Sequence, residues 1–206
     1  MSGQLIITMS RQFGSGGHEI ARMLASRFDL PLYEANILRQ IAQSRGLDAD
    51  RLERYDETPK SRLFYRTVNG FNNSPEDGVA RMQFQYLRER AAAGESFVVV
   101  GRCAEEVLQD CPGLISFFVH ADLSFRLERT MKAGDISRQA ALTLIRRTDR
   151  SRKTYHNQFC QGRWGDAANY DLTLDSSKLG LHGSARLLES YIRARMDLIH
   201  ASQPEE

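Results

Sequence analysis

Cysteine is scarce in this chain, and so is net charge. Three cysteines, Cys103, Cys111 and Cys160, stand among 206 residues. Their odd number and their spacing fit neither a disulfide framework nor a zinc site, so reduced thiols in a cytoplasmic protein are expected. The formal net charge is +2, which argues against a bulk attraction to nucleic acid or to a membrane surface. No apolar run approaches the roughly 18 residues needed to cross a bilayer. The opening run Leu5-Ile6-Ile7 has no basic flank and ends too soon for a secretory signal. Internal repeats and low-complexity tracts are absent.

What is present describes an ordinary globular chain, with 41% hydrophobic and 26% charged residues, long enough for one domain with a sizeable core. Residues 5–9 read as a short buried strand. Gly14-Ser15-Gly16-Gly17 follows at once. Ile20, Leu24 and Phe28 then recur at i, i+4 and i+8, one apolar helix face that Pro31 ends. A helix is expected over 35–45, and a polar, irregular, mobile insertion over about 46–75. Residues 76–93 predict a helix stopped by Gly94. Apolar strands follow at 97–100, 114–119 and 172–174. Helices are expected at 122–132, 135–150 and 183–199, the last turning Leu187, Leu188, Ile192 and Met196 inward. Continuous apolar strands alternating with helices imply a parallel sheet covered on both faces, an α/β domain.

A strand that ends in a glycine turn and opens a helix aims backbone N–H groups and the helix N-terminus at one point, where a phosphate can sit. Gly14, Ser15, Gly16, Gly17 and His18 are the candidate cradle; a tight βα turn without a ligand would use the same glycines. The pattern G-x-x-x-x-G-K-[ST] is not met. Arg11 stands in place of its first glycine, Gly17 in place of its lysine, and His18 and Glu19 where magnesium-binding hydroxyls are expected. Arg11, at the strand end, is the nearest cation to replace the lysine, and its guanidinium suits bidentate phosphate contacts.

Other candidates lie further along. Arg102 follows a buried strand, at the sheet edge where ligands gather in open α/β folds; a surface arginine opening a helix is the alternative. Arg146-Arg147-x-x-Arg150-x-Arg152-Lys153 is either a solvated helix face or a lid, about 146–165, whose Arg150 and Arg152 close over phosphates. Tyr155, His156, Phe159 and Trp164 interleave with it. Glu34, after Leu32-Tyr33, reads from the residues as a helix-start glutamate favoured by the dipole. Asp122 is expected to cap the following helix. The cysteines are expected to be packing residues. The metal ligands and the oligomeric state are left open.

Several blocks in one order resemble a known family. Ser10-Arg11-Gln12-Phe13-Gly14-Ser15-Gly16-Gly17-His18-Glu19-Ile20-Ala21 is similar to the opening of the cytidylate kinase-like family. The likeness continues at Val100-Gly101-Arg102-Cys103-Ala104, Asp149-Arg150-x-Arg152-x-x-Tyr155, Trp164-Gly165-Asp166, Asn169-Tyr170-Asp171-Leu172 and Ser176-Ser177-x-Leu179-Gly180. The resemblance implies a P-loop kinase fold with a five-stranded parallel sheet, helices on both faces, a helical insertion and a lid. It further implies ATP with Mg2+ as phosphoryl donor and a small nucleotide, CMP or dCMP, as acceptor, with Arg102, Glu34 and Tyr155 on the acceptor. The absent lysine keeps two other expectations alive, a non-catalytic nucleotide-binding protein and a kinase of another small metabolite.

Overall fold

The computed structural model describes residues 3–34, 36–53 and 75–201. Most of the expected insertion falls at 54–74, outside the described residues. The elements run β1 (Ile6–Arg11), α1 (Gly17–Arg27), β2 (Leu32–Tyr33), α2 (Asn36–Arg45), α3 (Ala49–Glu53), α4 (Pro75–Ala92), β3 (Phe97–Val100), α5 (Ala104–Val107), β4 (Leu114–His120), α6 (Leu123–Gly134), α7 (Arg138–Phe159), a 3-10 turn (Ala167–Asn169), β5 (Leu172–Asp175) and α8 (Ser176–Ala201). The five strands form one sheet in the order β2-β3-β1-β4-β5, and every pairing is parallel. This is the α/β P-loop kinase fold that the motifs imply.

Alternation along the strands builds two apolar layers, because successive side chains leave opposite faces of a sheet. Ile7, Met9, Val98, Val100, Phe117 and Val119 face α1 and α8, meeting Ile20, Leu24, Leu188 and Ile192. Ile6, Phe97 and Val99 face the other way, onto Ile37 and Ile41 of α2 and Leu87 of α4. The central strand β1 is therefore buried on both faces, as its unbroken apolar run requires. The chain passes from β1 to one side of the sheet for β2 and β3, then crosses to the other for β4 and β5. Such a reversal opens a crevice beyond the carboxyl end of β1, and the glycine loop lies there.

Three expectations need correction. The helix expected to end at 150 continues to Phe159, so the first part of the basic lid segment is regular helix. Leu187 is exposed, because the inward stripe of α8 runs through Ala185, Leu188 and Ile192 and Leu187 is one residue, about 100°, off it. Asp122 precedes α6 without making a side-chain cap bond; its carboxylate takes Lys178 Nζ at 2.6 Å instead. Among the described residues, no helix is long and apolar enough to cross a membrane.

Candidate functional site

The glycine loop is held by packing on three sides. Gly14 and Gly16 have φ of 78° and 83°, in the left-handed region. A Cβ on Gly14 would come within 2.9 Å of Thr130 Oγ1 on α6, one on Gly16 within 2.2 Å of Leu181 Cδ2 on α8, and one on Gly17 within 2.6 Å of Arg11 Cβ. Glycine is thus required by neighbouring protein as well as by backbone conformation. At Gly16 the atom nearest a built Cβ belongs to Leu181 of α8. Gly16→Ala should cost roughly 1–2 kcal/mol from the left-handed backbone and displace Leu181 in addition. Pairing it with Leu181→Ala should restore only the contact part. Urea unfolding checks this; an unchanged midpoint for the single variant would contradict it.

Ser15 does not turn its hydroxyl into the cradle. Its Oγ donates to Gln12 O at 2.8 Å, and its carbonyl accepts from the buried Ser176 Oγ at 2.6 Å. This ties the loop to the start of α8. His18 turns sideways too: Nε2 is 2.8 Å from Arg22 Nη2 and Nδ1 is 2.9 Å from Glu34 Oε1. Arginine can only donate, so Nε2 faces Arg22 with its lone pair. Two candidates assigned to different ligands are therefore within ion-pair distance of each other.

Below the loop lies a brace built by Arg126 of α6 and Asp149 of α7. The N–H of Phe13 donates to Asp149 Oδ1 at 2.7 Å, and Arg126 Nε donates to Phe13 O at 2.7 Å. Arg126 Nη1 reaches Gln12 Oε1 at 3.0 Å, and Nη2 pairs with Asp149 Oδ2. One ion pair between α6 and α7 thus engages both backbone polar groups of Phe13. Arg129, one turn further along α6, donates to Gly14 O at 3.2 Å and to Glu19 Oε1 at 2.6 Å.

A cleft of about 500 Å³ opens over this loop, lined by Arg11, Gly14, Gly16, Gly17, His18, Arg129 and Arg152 and by the apolar Phe13, Ala133 and Leu144. A second cavity, about 20 Å³, is lined by Arg11, Arg102, Arg152 and Tyr155 with Ser10 and Trp164. Arg11 and Arg152 line both. Arg152 Nη1 donates to Arg11 O at 3.3 Å, and its guanidinium lies 5.7 Å from the centre of the Phe13 ring. Arg102 is only 4% exposed and has φ of 65°, a conformation costly for a residue with a Cβ.

Arg11, Gly14, Gly16, Gly17, His18, Arg102, Arg152 and Tyr155 are thus gathered at two adjoining cavities. Glu34 joins only through His18. Arg150 is exposed and lines neither cavity, because two residues along a helix is a turn of about 200°. The inward stripe of α7 is Ile145, Asp149, Arg152 and His156, while Arg146 and Arg150 form the solvated face. Arg129 is missed by sequence reasoning because nothing in the glycine motif points to a helix more than a hundred residues away. The (i, i+3) pair Arg126 and Arg129 is the available signal.

The aromatics that interleave with the basic run pack against other rings. Tyr155 lies 4.9 Å from Phe159 between ring centres, and Trp164 meets Phe118 of β4 edge-on at 5.3 Å. Beside them is a buried polar knot. Glu105 accepts from Ser10 Oγ at 3.3 Å and lies 2.8 Å from His156 Nε2. Burial pushes the His156 pKa down, but hydrogen bonds to Cys160 and Glu105 outweigh it and raise it to about 10 from 6.5. A raised folded-state value stabilises fully below the unfolded one and fades as pH climbs through the folded one. Stability should therefore decline between pH 6.5 and 10 in the parent, and His156→Gln should flatten that decline. Urea midpoints over this window check it; a flat parent profile would contradict the pairing.

Comparison with known proteins gives these features a family. The Cytidylate kinase-like family profile matches residues 6–178. A curated cytidylate kinase of Methanocaldococcus jannaschii is 26% identical over 192 residues, 91% of this chain and 97% of that one. The cytidylate kinase of Pyrococcus abyssi is 26% identical over 192 residues, 92% of this chain and 94% of its own length. Among solved structures, an uncharacterized protein from Eubacterium ventriosum is similar with a TM-score of 0.74 and 31% identity, covering 92% of this chain and 99% of its own. A gluconokinase from Sinorhizobium meliloti, 16% identical, shares the fold at a TM-score of 0.56, covering 98% of both chains. With the family profile spanning the whole sheet and its glycine loop, the chain belongs to the cytidylate kinase-like family.

Proposed function

We propose that the protein transfers the γ-phosphoryl group of ATP to a small acceptor nucleotide, with CMP or dCMP the first candidates because the curated relatives are named cytidylate kinases. One observation carries this reading: Arg11 and Arg152 line both the large cleft over the glycine loop and the small cavity under Arg102. Cations shared by two adjoining cavities suit a phosphoryl group passing from one to the other.

The large cleft fits a nucleoside triphosphate in its chemistry. Phe13, Ala133 and Leu144 offer apolar surface, and Arg11, Arg129 and Arg152 offer charge from three different elements. The start of α1 supplies N–H groups with no acceptor inside the helix. Arg102 and Tyr155 face the acceptor phosphate in this reading. Magnesium, when bound with the donor, would supply further neutralising charge beside that of Arg11, Arg129 and Arg152. The residues themselves position donor and acceptor and neutralise charge, and no covalent intermediate is needed.

A coupled assay of ADP release over a panel of nucleoside monophosphates and sugars, with and without magnesium, tests the proposal. Turnover with CMP or dCMP supports it, and turnover with a sugar alone moves the acceptor to another class. ATP binding without turnover favours a non-catalytic nucleotide-binding protein, the reading that Gly17 in the lysine's place motivates. Arg102 gives a sharper check. Arg102→Ala should weaken acceptor binding by about 1.5–3 kcal/mol with little change for ATP. Equal losses for both ligands would contradict its place on the acceptor.

A further inference from the structure

The reading above gives Cys103 and Cys160 no role, yet the fold brings them together, and Cys103 also lines the small cavity beside Arg102. Cys103 lies in the turn after β3, with φ of 52°. Cys160 ends α7, its N–H donating to His156 O at 2.8 Å. Both thiols belong to one small apolar cluster with Ala80, Phe84, Tyr155 and Phe159. The Cys160 side chain packs against the cluster that holds Cys103, one helical turn beyond His156, whose Nε2 is held by Glu105 at 2.8 Å. A thiol beside an imidazole that a carboxylate orients is the arrangement that activates a sulfur nucleophile. Cys111 lies elsewhere, against the α2–α4 side of the sheet, and burial pushes its thiol pKa up.

We propose that Cys160 is a peroxide-reactive thiol and Cys103 its resolving partner, so that oxidation joins the end of α7 to the turn that carries Arg102 in a reversible disulfide. Exposure sets the order: Cys103 is 3% exposed, whereas Cys160 is half-buried and open to a small hydroperoxide. The Cys160 thiolate attacks one peroxide oxygen. The O–O bond breaks, the sulfur loses two electrons to become a sulfenic acid, and the departing hydroxide takes the proton that the thiol released. Cys103 then attacks that sulfur. The S–S bond forms, the S–O bond breaks, and hydroxide leaves as water with the Cys103 proton. Two thiols and one hydrogen peroxide thus give one disulfide and two waters.

The charges around Cys160 support this assignment. The hydrogen bond with Cys103 lowers its pKa most, burial opposes it, and His156 lowers it further, to about 7. Glu105 of α5 raises it, and Tyr170, ahead of β5, also faces it. A thiolate already populated at neutral pH is what peroxide requires.

The test uses the full chain, hydrogen peroxide and peptide mapping after alkylation. A Cys103–Cys160 linked peptide that dithiothreitol removes, with Cys111 alkylated, is expected. Cys160→Ser should abolish it. Cys103→Ser should leave a sulfenic acid at Cys160 that a 1,3-diketone traps. His156→Gln should slow oxidation at pH 7 by about tenfold or more, as the thiolate fraction falls. Should that variant fail to fold, the pH profile of the parent replaces it, with a midpoint near 7 expected. A linkage only between separate chains, oxidation of Cys111 first, or a midpoint at the ordinary thiol value would overturn the proposal. None of these readouts depends on kinase activity.

Discussion

Arg11→Ala is expected to lower ATP affinity and turnover together, by about 10²–10³ in rate, the usual loss when one fixed donor is removed from a developing anion. The expectation follows from place and chemistry. Arg11 is the last residue of the central strand, it lines both cavities, and a P-loop lysine is missing at Gly17. A guanidinium can grip two phosphate oxygens at once, so it replaces a lysine's charge and adds orientation. Arg22→Ala should do far less, since that side chain is exposed and meets the site only through His18 Nε2. Arg152→Ala should resemble Arg11→Ala and Arg129→Ala should affect ATP alone, which separates cations shared by donor and acceptor from one on the donor side. Isothermal titration with an ATP analogue and single-turnover rates measure both effects. Equal consequences for Arg11 and Arg22 would sink the replacement of the lysine.

Breaking the Arg126–Asp149 pair should have the largest effect on stability. The two side chains are 7% and 19% exposed, and removing one partner of a buried pair leaves the other charge without compensation, typically at about 3–5 kcal/mol. Asp149→Ala also strips the acceptor from the Phe13 N–H, and Arg126→Leu strips the donor from the Phe13 carbonyl. Each single variant should therefore melt well below the parent. The double variant Arg126→Leu/Asp149→Leu should regain much of the stability, because a packed apolar pair replaces the ion pair. Its turnover should stay low, because neither backbone group of Phe13 is then held and the loop loses its brace. Thermal melts beside ATP turnover decide this. Single variants as stable as the parent would rule out the pair as a brace, and full turnover in the double variant would rule out its role in shaping the loop.

The local features of the chain are legible in the sequence alone. The apolar run at 5–9, the glycines after it and the period of Ile20, Leu24 and Phe28 specify strand, loop and helix in the first thirty residues. Each depends on neighbours a few positions apart, which is the range that periodicity and turn chemistry cover. The continuous apolar strands at 97–100 and 114–119 likewise require a sheet buried on both faces, and the structure has one.

Long-range choices are not legible in the same way. Arg150 and Arg152 look alike in a basic run, yet only Arg152 reaches the cleft, because α7 continues through both and rotates Arg150 to solvent. Asp149 reads as the lone acid of that run; in the fold it holds the N–H of Phe13. His18 and Glu34 read as contacts to different ligands, and the loop and the end of β2 bring them to 2.9 Å. Gly16 suggests a bound anion, while the atom nearest its missing Cβ belongs to Leu181, far along the chain. Sequence periodicity determines which face of an element is apolar and where the chain can turn sharply, because those are properties of a few adjacent residues. Which polar side chains converge depends on how helices α6, α7 and α8 settle against the loop after β1, and only the packing of the whole sheet decides that.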